Sequence, residues 1–277
     1  MGHWAPALYL LLLWWFTTGL ILWLDRRSAT TQRWSLIVAG VLAAASFWAT
    51  YATRHQDSVA EAYVAFTAAV LIWGLVELAF LTGTITGPSR LPCPDGARGW
   101  VRFKAAVSVL LYHEIALLLG ALMLLALVGV DGLAFQAFAA LWIMRQSAKF
   151  NLFLGVRNPG EQFLPGHLDY LASYFRRRSM NLLFPWSVLA LSVAAGMLLS
   201  QLLGMTPADP AATRLALLAT LVVLGLLEHW FLVLPINIDA LWAWSLRDRQ
   251  RTPLRVDSLR ARRELLRSVL HNPSTRL

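Results

Sequence analysis

Seven ionisable side chains fall within otherwise apolar stretches: Glu77, His113, Glu114, Arg145, Lys149, Glu228 and His229. Three carboxylates, two cations and two imidazoles could form a buried ion-pair and hydrogen-bond network, for example Glu77 or Glu114 with Arg145. Glu77, His113, Glu114, Glu228 and His229 are also ligand types for iron, manganese or zinc. The spacing argues against a metal: neighbouring helical residues point about 100° apart, and di-metal bundles use Glu-x-x-His on two helices. A third chemistry makes His113 or His229 an axial ligand to the magnesium of a (bacterio)chlorophyll or to a haem iron. A fourth is a proton relay in a transporter. There is no Gly-x-Ser-x-Gly elbow, Walker loop, Gly-x-Gly-x-x-Gly or His-Glu-x-x-His, so no familiar catalytic signature is present.

The elements that must hold these groups are membrane spans. The chain has 277 residues, 58% hydrophobic and only 14% charged, against roughly 45–50% apolar and 25% charged in a soluble domain. Hydropathy predicts an all-α polytopic bundle of seven spans, at Trp4–Leu24, Trp34–Thr53, Val59–Leu81, Phe103–Val130, Leu133–Ala148, Leu182–Leu203 and Ala211–Leu234. The fifth is short and closes on Arg145 and Lys149. The first carries no Lys or Arg ahead of it and reads as a retained helix, not a signal peptide.

Charge orients the bundle. With the N-terminus outside and the C-terminus inside, 22 of the 24 Lys and Arg residues fall on the cytoplasmic face, and deleting the fifth span would break this asymmetry. The net charge of +9 thus reflects topology and contact with anionic lipid, not nucleic acid. Residues 1–236 form the bundle, with cytoplasmic loops at 82–102 and 149–181, and 237–277 a basic tail. Leu168, Leu171, Ala172 and Phe175 predict an in-plane amphipathic helix; Leu259, Leu266, Val269 and Leu270, interleaved with Arg, predict another in the tail. Cys93, the single cysteine, excludes an intrachain disulfide. Counting ~1.5 Å per residue from the cytoplasmic ends puts Glu77 about 6 Å deep, Glu228 and His229 about 8–9 Å, and His113 and Glu114 about 15 Å.

Several stretches go beyond composition: Trp73–Glu77 leading into Leu81–Pro88, then Arg102-Phe103, Tyr112–Glu114, the block Leu141–Asn158, Phe184-Pro185 and Glu228–Phe231. Together they resemble the PuhE family of phototrophic bacteria, putative photosynthetic complex assembly protein 2. The specific part is Arg145-x-Ser-Ala-Lys149-x-Asn151-x-Phe-Leu-Gly-Val-Arg157-Asn158. The resemblance implies a multi-pass bacterial inner-membrane protein, encoded near the reaction-centre H subunit. It further implies a role in assembling the reaction centre and light-harvesting core, with nascent subunits and other assembly factors as partners and bacteriochlorophyll as the pigment in question. It supplies no catalytic residues, so no enzymatic turnover is assigned; a metal-dependent membrane enzyme acting on a tetrapyrrole or isoprenoid is the rival. Gly83, Gly87 and Pro88, with Asn151, Arg157 and Asn158, are expected to form one cytoplasmic surface above the charged cluster.

Overall fold

The computed structural model describes residues 4–55, 58–236 and 238–246. It divides into two compact units at Ile238. The first is built on seven long helices: α1 (Trp4–Leu24), α2 (Ala29–Ala52), α3 (Val59–Leu81), α4 (Gly99–Val128), α5 (Leu133–Leu154), α6 (Phe184–Leu202) and α7 (Pro210–Phe231). In the second, the described residues form a 3-10 turn at Ile238–Trp242 and one turn of α-helix at Ala243–Leu246. The protein is an all-α membrane helical bundle, and no β-strand occurs among the described residues. The predicted tail helix at 259–270 lies outside the described residues.

Local signals set the helix starts. Ser58 and Glu61 form a reciprocal capping box at α3. Asp209 accepts from the Ala211 N–H at 2.8 Å ahead of Pro210, which supplies the fixed φ suited to a first helical turn. Small residues then allow close approach, which drives association where lipid is as apolar as the helix surfaces. Ala62, Ala65 and Ala69 of α3 are buried in one cluster with Phe66, Leu117, Phe138, Leu217 and Leu221, and Ala212, Ala216 and Ala219 of α7 are buried as well.

Six of the seven long helices are long and apolar enough to cross a membrane, and α5 is the exception. Its position explains its composition. It runs antiparallel to α4 along its length: Phe138 lies against Gly120, Trp142 reaches Glu114, and Phe153 meets Arg102. It also packs on α3 and α7, where a Cβ at Gly225 would fall 2.0 Å from the Met144 sulfur. A helix packed on three others can bury polar side chains on the faces turned toward them.

The segment after α5 departs from the predicted α-helix. Residues Gly166–Tyr174 form a 3-10 helix, and the buried side chains Leu168, Leu171 and Tyr174 recur every third residue. At three residues per turn these eclipse on one face, which packs on Phe80 and Val109 of α3 and α4. The segment therefore packs on the bundle where α3 ends instead of standing apart as an amphipathic helix.

Candidate functional site

Every described member of the intramembrane set collects around α5, and its successive faces address different neighbours. Arg145 points to α3, where Nη2 donates to Glu77 Oε2 at 3.4 Å. Glu77 is buried, and His113 of α4 places Nε2 4.0 Å from its other oxygen. The His113 ring lies over Phe80 at 4.5 Å. Counting from span ends separates Glu77 and His113 by about 9 Å of depth. The structure brings them together because α4 starts at Gly99 and its first turns overhang the end of α3.

Trp142, Gln146 and Lys149, spaced i, i+4 and i+7, share the α5 face toward α4. All three donate to one carboxylate: Lys149 Nζ to Glu114 Oε1 at 2.5 Å, Trp142 Nε1 to Oε2 at 3.3 Å, and Gln146 Nε2 to Oε2. Toward α6 and α7 the partners are neutral. His229 Nδ1 faces the Gly225 carbonyl at 2.7 Å, so it carries the hydrogen, and Nε2 accepts from Ser147 Oγ at 2.9 Å. Ser147 also meets Ser187 at 2.9 Å, and Asn151 Nδ2 donates to Ser187 Oγ at 3.0 Å.

The asparagines in the last turn of α5 and beyond its end are helix-terminus devices. Asn181 donates to the Asn151 side chain at 3.0 Å and to the Gly155 carbonyl at 2.9 Å, while its own carbonyl accepts from Leu183 and Phe184 at the start of α6. Asn158 donates from Nδ2 to the Phe231 carbonyl at 2.9 Å and to that of Leu234, closing the end of α7. The expected six-residue surface is therefore only partly a surface. Pro88 and Arg157 are exposed, but Asn151 is fully buried, Asn158 is turned into α7, and Gly83 and Gly87 are buried.

Those two glycines belong to a loop that leans on α4 and the 3-10 segment. A Cβ at Gly87 would come 2.1 Å from the Ser108 carbonyl oxygen, so only glycine fits. Beside it the His113 N–H donates to the Thr86 carbonyl at 2.9 Å. Gly83 takes φ +73° against His167. Tyr174 donates to the Leu91 carbonyl at 3.1 Å, and burial raises its phenol above the ordinary value.

Glu228 faces α1. It is exposed, and it accepts from Trp14 Nε1 at 2.9 Å. The guanidinium side of Arg145 is open as well, with 48% of its side chain accessible although Glu77 beneath it is buried.

Neither histidine suits a tetrapyrrole. An axial ligand needs a ring nitrogen facing open room. Each residue is 1% exposed; His113 is sandwiched by Phe80 and Glu77, and both nitrogens of His229 are taken. The five metal-ligand candidates are likewise dispersed, and no three His, Cys, Asp or Glu side chains converge among the described residues.

Reading the sequence for ionisable groups passed over Arg102, Ser147, Asn181, Ser187 and Trp14. Arg102 is buried and donates from Nη2 to the carbonyls of Phe153, at 3.0 Å, and Tyr174, at 2.5 Å, tying α5 to the 3-10 segment. The Asn181 role was marked by an asparagine shortly before Pro185, a helix-start signature.

The conserved-domain comparison places this architecture: residues 1–253 match the family described as a protein of unknown function, DUF3623. The chain belongs to the DUF3623 family. A relative from Rhodobacter capsulatus, described as an uncharacterized 30.4 kDa protein in the puhA 5′ region, is 41% identical over 255 residues, covering 88% of this chain and 90% of that protein. No solved structure matches the DUF3623 chain.

Proposed function

We propose that this DUF3623 protein is a PuhE-type assembly factor for the photosynthetic reaction centre and light-harvesting core complex, acting in the bacterial inner membrane without enzymatic turnover. The observation that carries the reading is the Rhodobacter capsulatus relative described as lying in the puhA 5′ region, the neighbourhood that the PuhE resemblance leads one to expect. Two structural features support it. Most of the polar groups around α5 are spent on one another, as in a scaffold. The outward face of α2 exposes Trp34, Val41 and Trp48 at seven-residue spacing, a stripe on which another membrane helix can lie. In this reading nascent subunits are held laterally until they pack with each other. Seven crossings with the N-terminus outside and the C-terminus inside put the loops at 82–102 and 149–181 on the cytoplasmic face, with anionic lipid beside their basic residues.

Deleting the gene in a phototroph and recording near-infrared absorption of the core complex tests the function. Loss of assembled core, with core subunits co-purifying with the tagged protein in the wild type, is the expected result. Normal core content together with no co-purifying subunit overturns it. Topology has its own test, because Cys93 is the single cysteine. A membrane-impermeant thiol reagent should label it in inside-out vesicles and not in intact spheroplasts.

A further inference from the structure

Most ionisable side chains at membrane depth in this protein are closed off by protein partners, but Arg145 and Glu228 are not. Arg145 uses Nη2 for Glu77, and its side chain, half exposed, carries further guanidinium N–H groups with no partner among the described residues. Glu228, a turn from the end of α7, binds Trp14 through Oε1 and leaves Oε2 available. Met144 lies against Gly225 and Ser147 bonds His229 at 2.9 Å, so Arg145 and Glu228 stand on neighbouring turns of the packed helices α5 and α7. Leu11 and Trp15, flanking Trp14 on α1, are exposed apolar side chains.

The charges on this opening do not cancel. Glu77 already neutralises Arg145, and Lys149 is committed to Glu114, so Glu228 has no cation of its own among the described residues. Its one hydrogen-bond donor is an indole. A carboxylate in this position, about one helical turn inside the inner ends of the bundle, is costly unless a cationic group reaches it. The half-exposed side chain of Arg145 next to it calls for an acceptor of opposite sign. A ligand that satisfies both carries an ammonium and a phosphate a few bonds apart, on an apolar body that can lie along Leu11 and Trp15.

We infer that Arg145, Glu228 and Trp14 form a binding site for the phosphoethanolamine headgroup of an inner-leaflet phospholipid, its ammonium on Glu228 and its phosphate on Arg145. A quaternary ammonium headgroup has no N–H to donate to Glu228 Oε2. A phosphoglycerol headgroup brings no cation at all and sets its charge beside an uncompensated carboxylate. The site therefore selects the primary amine.

The test uses the full chain reconstituted in nanodiscs of phosphatidylcholine mixed equally with either phosphatidylethanolamine or phosphatidylglycerol. The lipid that stays bound after extraction is counted by native mass spectrometry. The wild type should retain phosphatidylethanolamine at least about fivefold over either other lipid, and Glu228→Gln should reduce this to parity. Trp14→Phe, which keeps an aromatic ring but removes the indole N–H, should lower retention by a smaller factor. Glu161→Gln, at an exposed loop pair with Arg177, should leave it unchanged. Equal retention of all three lipids, a preference for phosphatidylglycerol, or a phosphatidylethanolamine preference that survives Glu228→Gln overturns the site. Should Glu228→Gln not yield folded protein, the wild-type selectivity and Trp14→Phe decide. No photosynthetic subunit enters the experiment, so its outcome is separate from that of the assembly role.

Discussion

On one side of α5 the bundle is held by charges, on the other by neutral hydrogen bonds. Toward α3 and α4, Arg145 and Lys149 meet Glu77 and Glu114; toward α6 and α7, Ser147 and Asn151 meet His229, Ser187 and Asn181. The same helix, at the same depth, thus solves one problem in two ways. The difference lies in what a single lost partner leaves behind. A broken ion pair strands a charge in a poorly solvating interior, whereas a broken neutral bond strands a dipole. The charged side should therefore be the brittle one.

The largest expected effect comes from Arg145→Met, which leaves the buried Glu77 carboxylate without its cation. A loss of about 3–5 kcal/mol should appear as a collapse in folded yield and in the melting temperature in detergent. The double variant Glu77→Gln/Arg145→Met should recover most of it; no recovery would show that the charge of Glu77 is not the cause. Gly87→Ala probes the wedge between loop and α4 and should cost about 1–3 kcal/mol through overpacking, read by the same melt. Asn181→Ala, on the neutral side, should cost about 1–2 kcal/mol. A loss equal to that of Arg145→Met would break the comparison.

Smaller still is an alkaline effect on the 3-10 segment at Gly166–Tyr174. Burial raises the Tyr174 phenol above its ordinary value, so the folded form holds that proton more tightly than the unfolded one. The stabilisation is complete below the ordinary phenol value of about 10 and fades as pH rises above it. Proteolysis in the loops at 82–102 and 149–181 should accelerate above that pH, and Tyr174→Phe should remove Tyr174's contribution to this dependence. At the bottom of the scale, Gly196→Ala on α6, where an added Cβ meets nothing within 4 Å, should fall within about 0.5 kcal/mol of wild type.

Much of the fold was legible because lipid imposes length and apolarity directly on the sequence. Trp4–Leu24 and Val59–Leu81 are helices to the residue. Where apolarity ceased to be the governing constraint, the reading shortened: α5 continues to Leu154 past Lys149 and Asn151, since both are satisfied inside protein. The site was legible as a set of charged residues but not as a set of pairs. Hydropathy gives depth along one helix and no offset between helices, so the meeting of His113 with Glu77 was hidden by the overhang of α4. The neutral chain through Ser147 and Ser187 was hidden differently, because serines in a span are ordinary residues until their neighbours are known. For Gly166–Tyr174, the apolar spacing suited both a 3.6 and a 3.0 period, and packing on Phe80 and Val109 selected the tighter one.

The bond from the His113 N–H to the Thr86 carbonyl also bears on the order of biosynthesis. Thr86 is made before His113, and the loop that carries it emerges directly behind α3. During synthesis α4 thus meets an acceptor already waiting at the base of the preceding helix, and Gly87 leaves the gap into which Ser108 and Val109 settle. The α3 to α4 hairpin thus carries Glu77, His113 and Glu114, all synthesised before the Arg145 and Lys149 of α5 that pair with two of them.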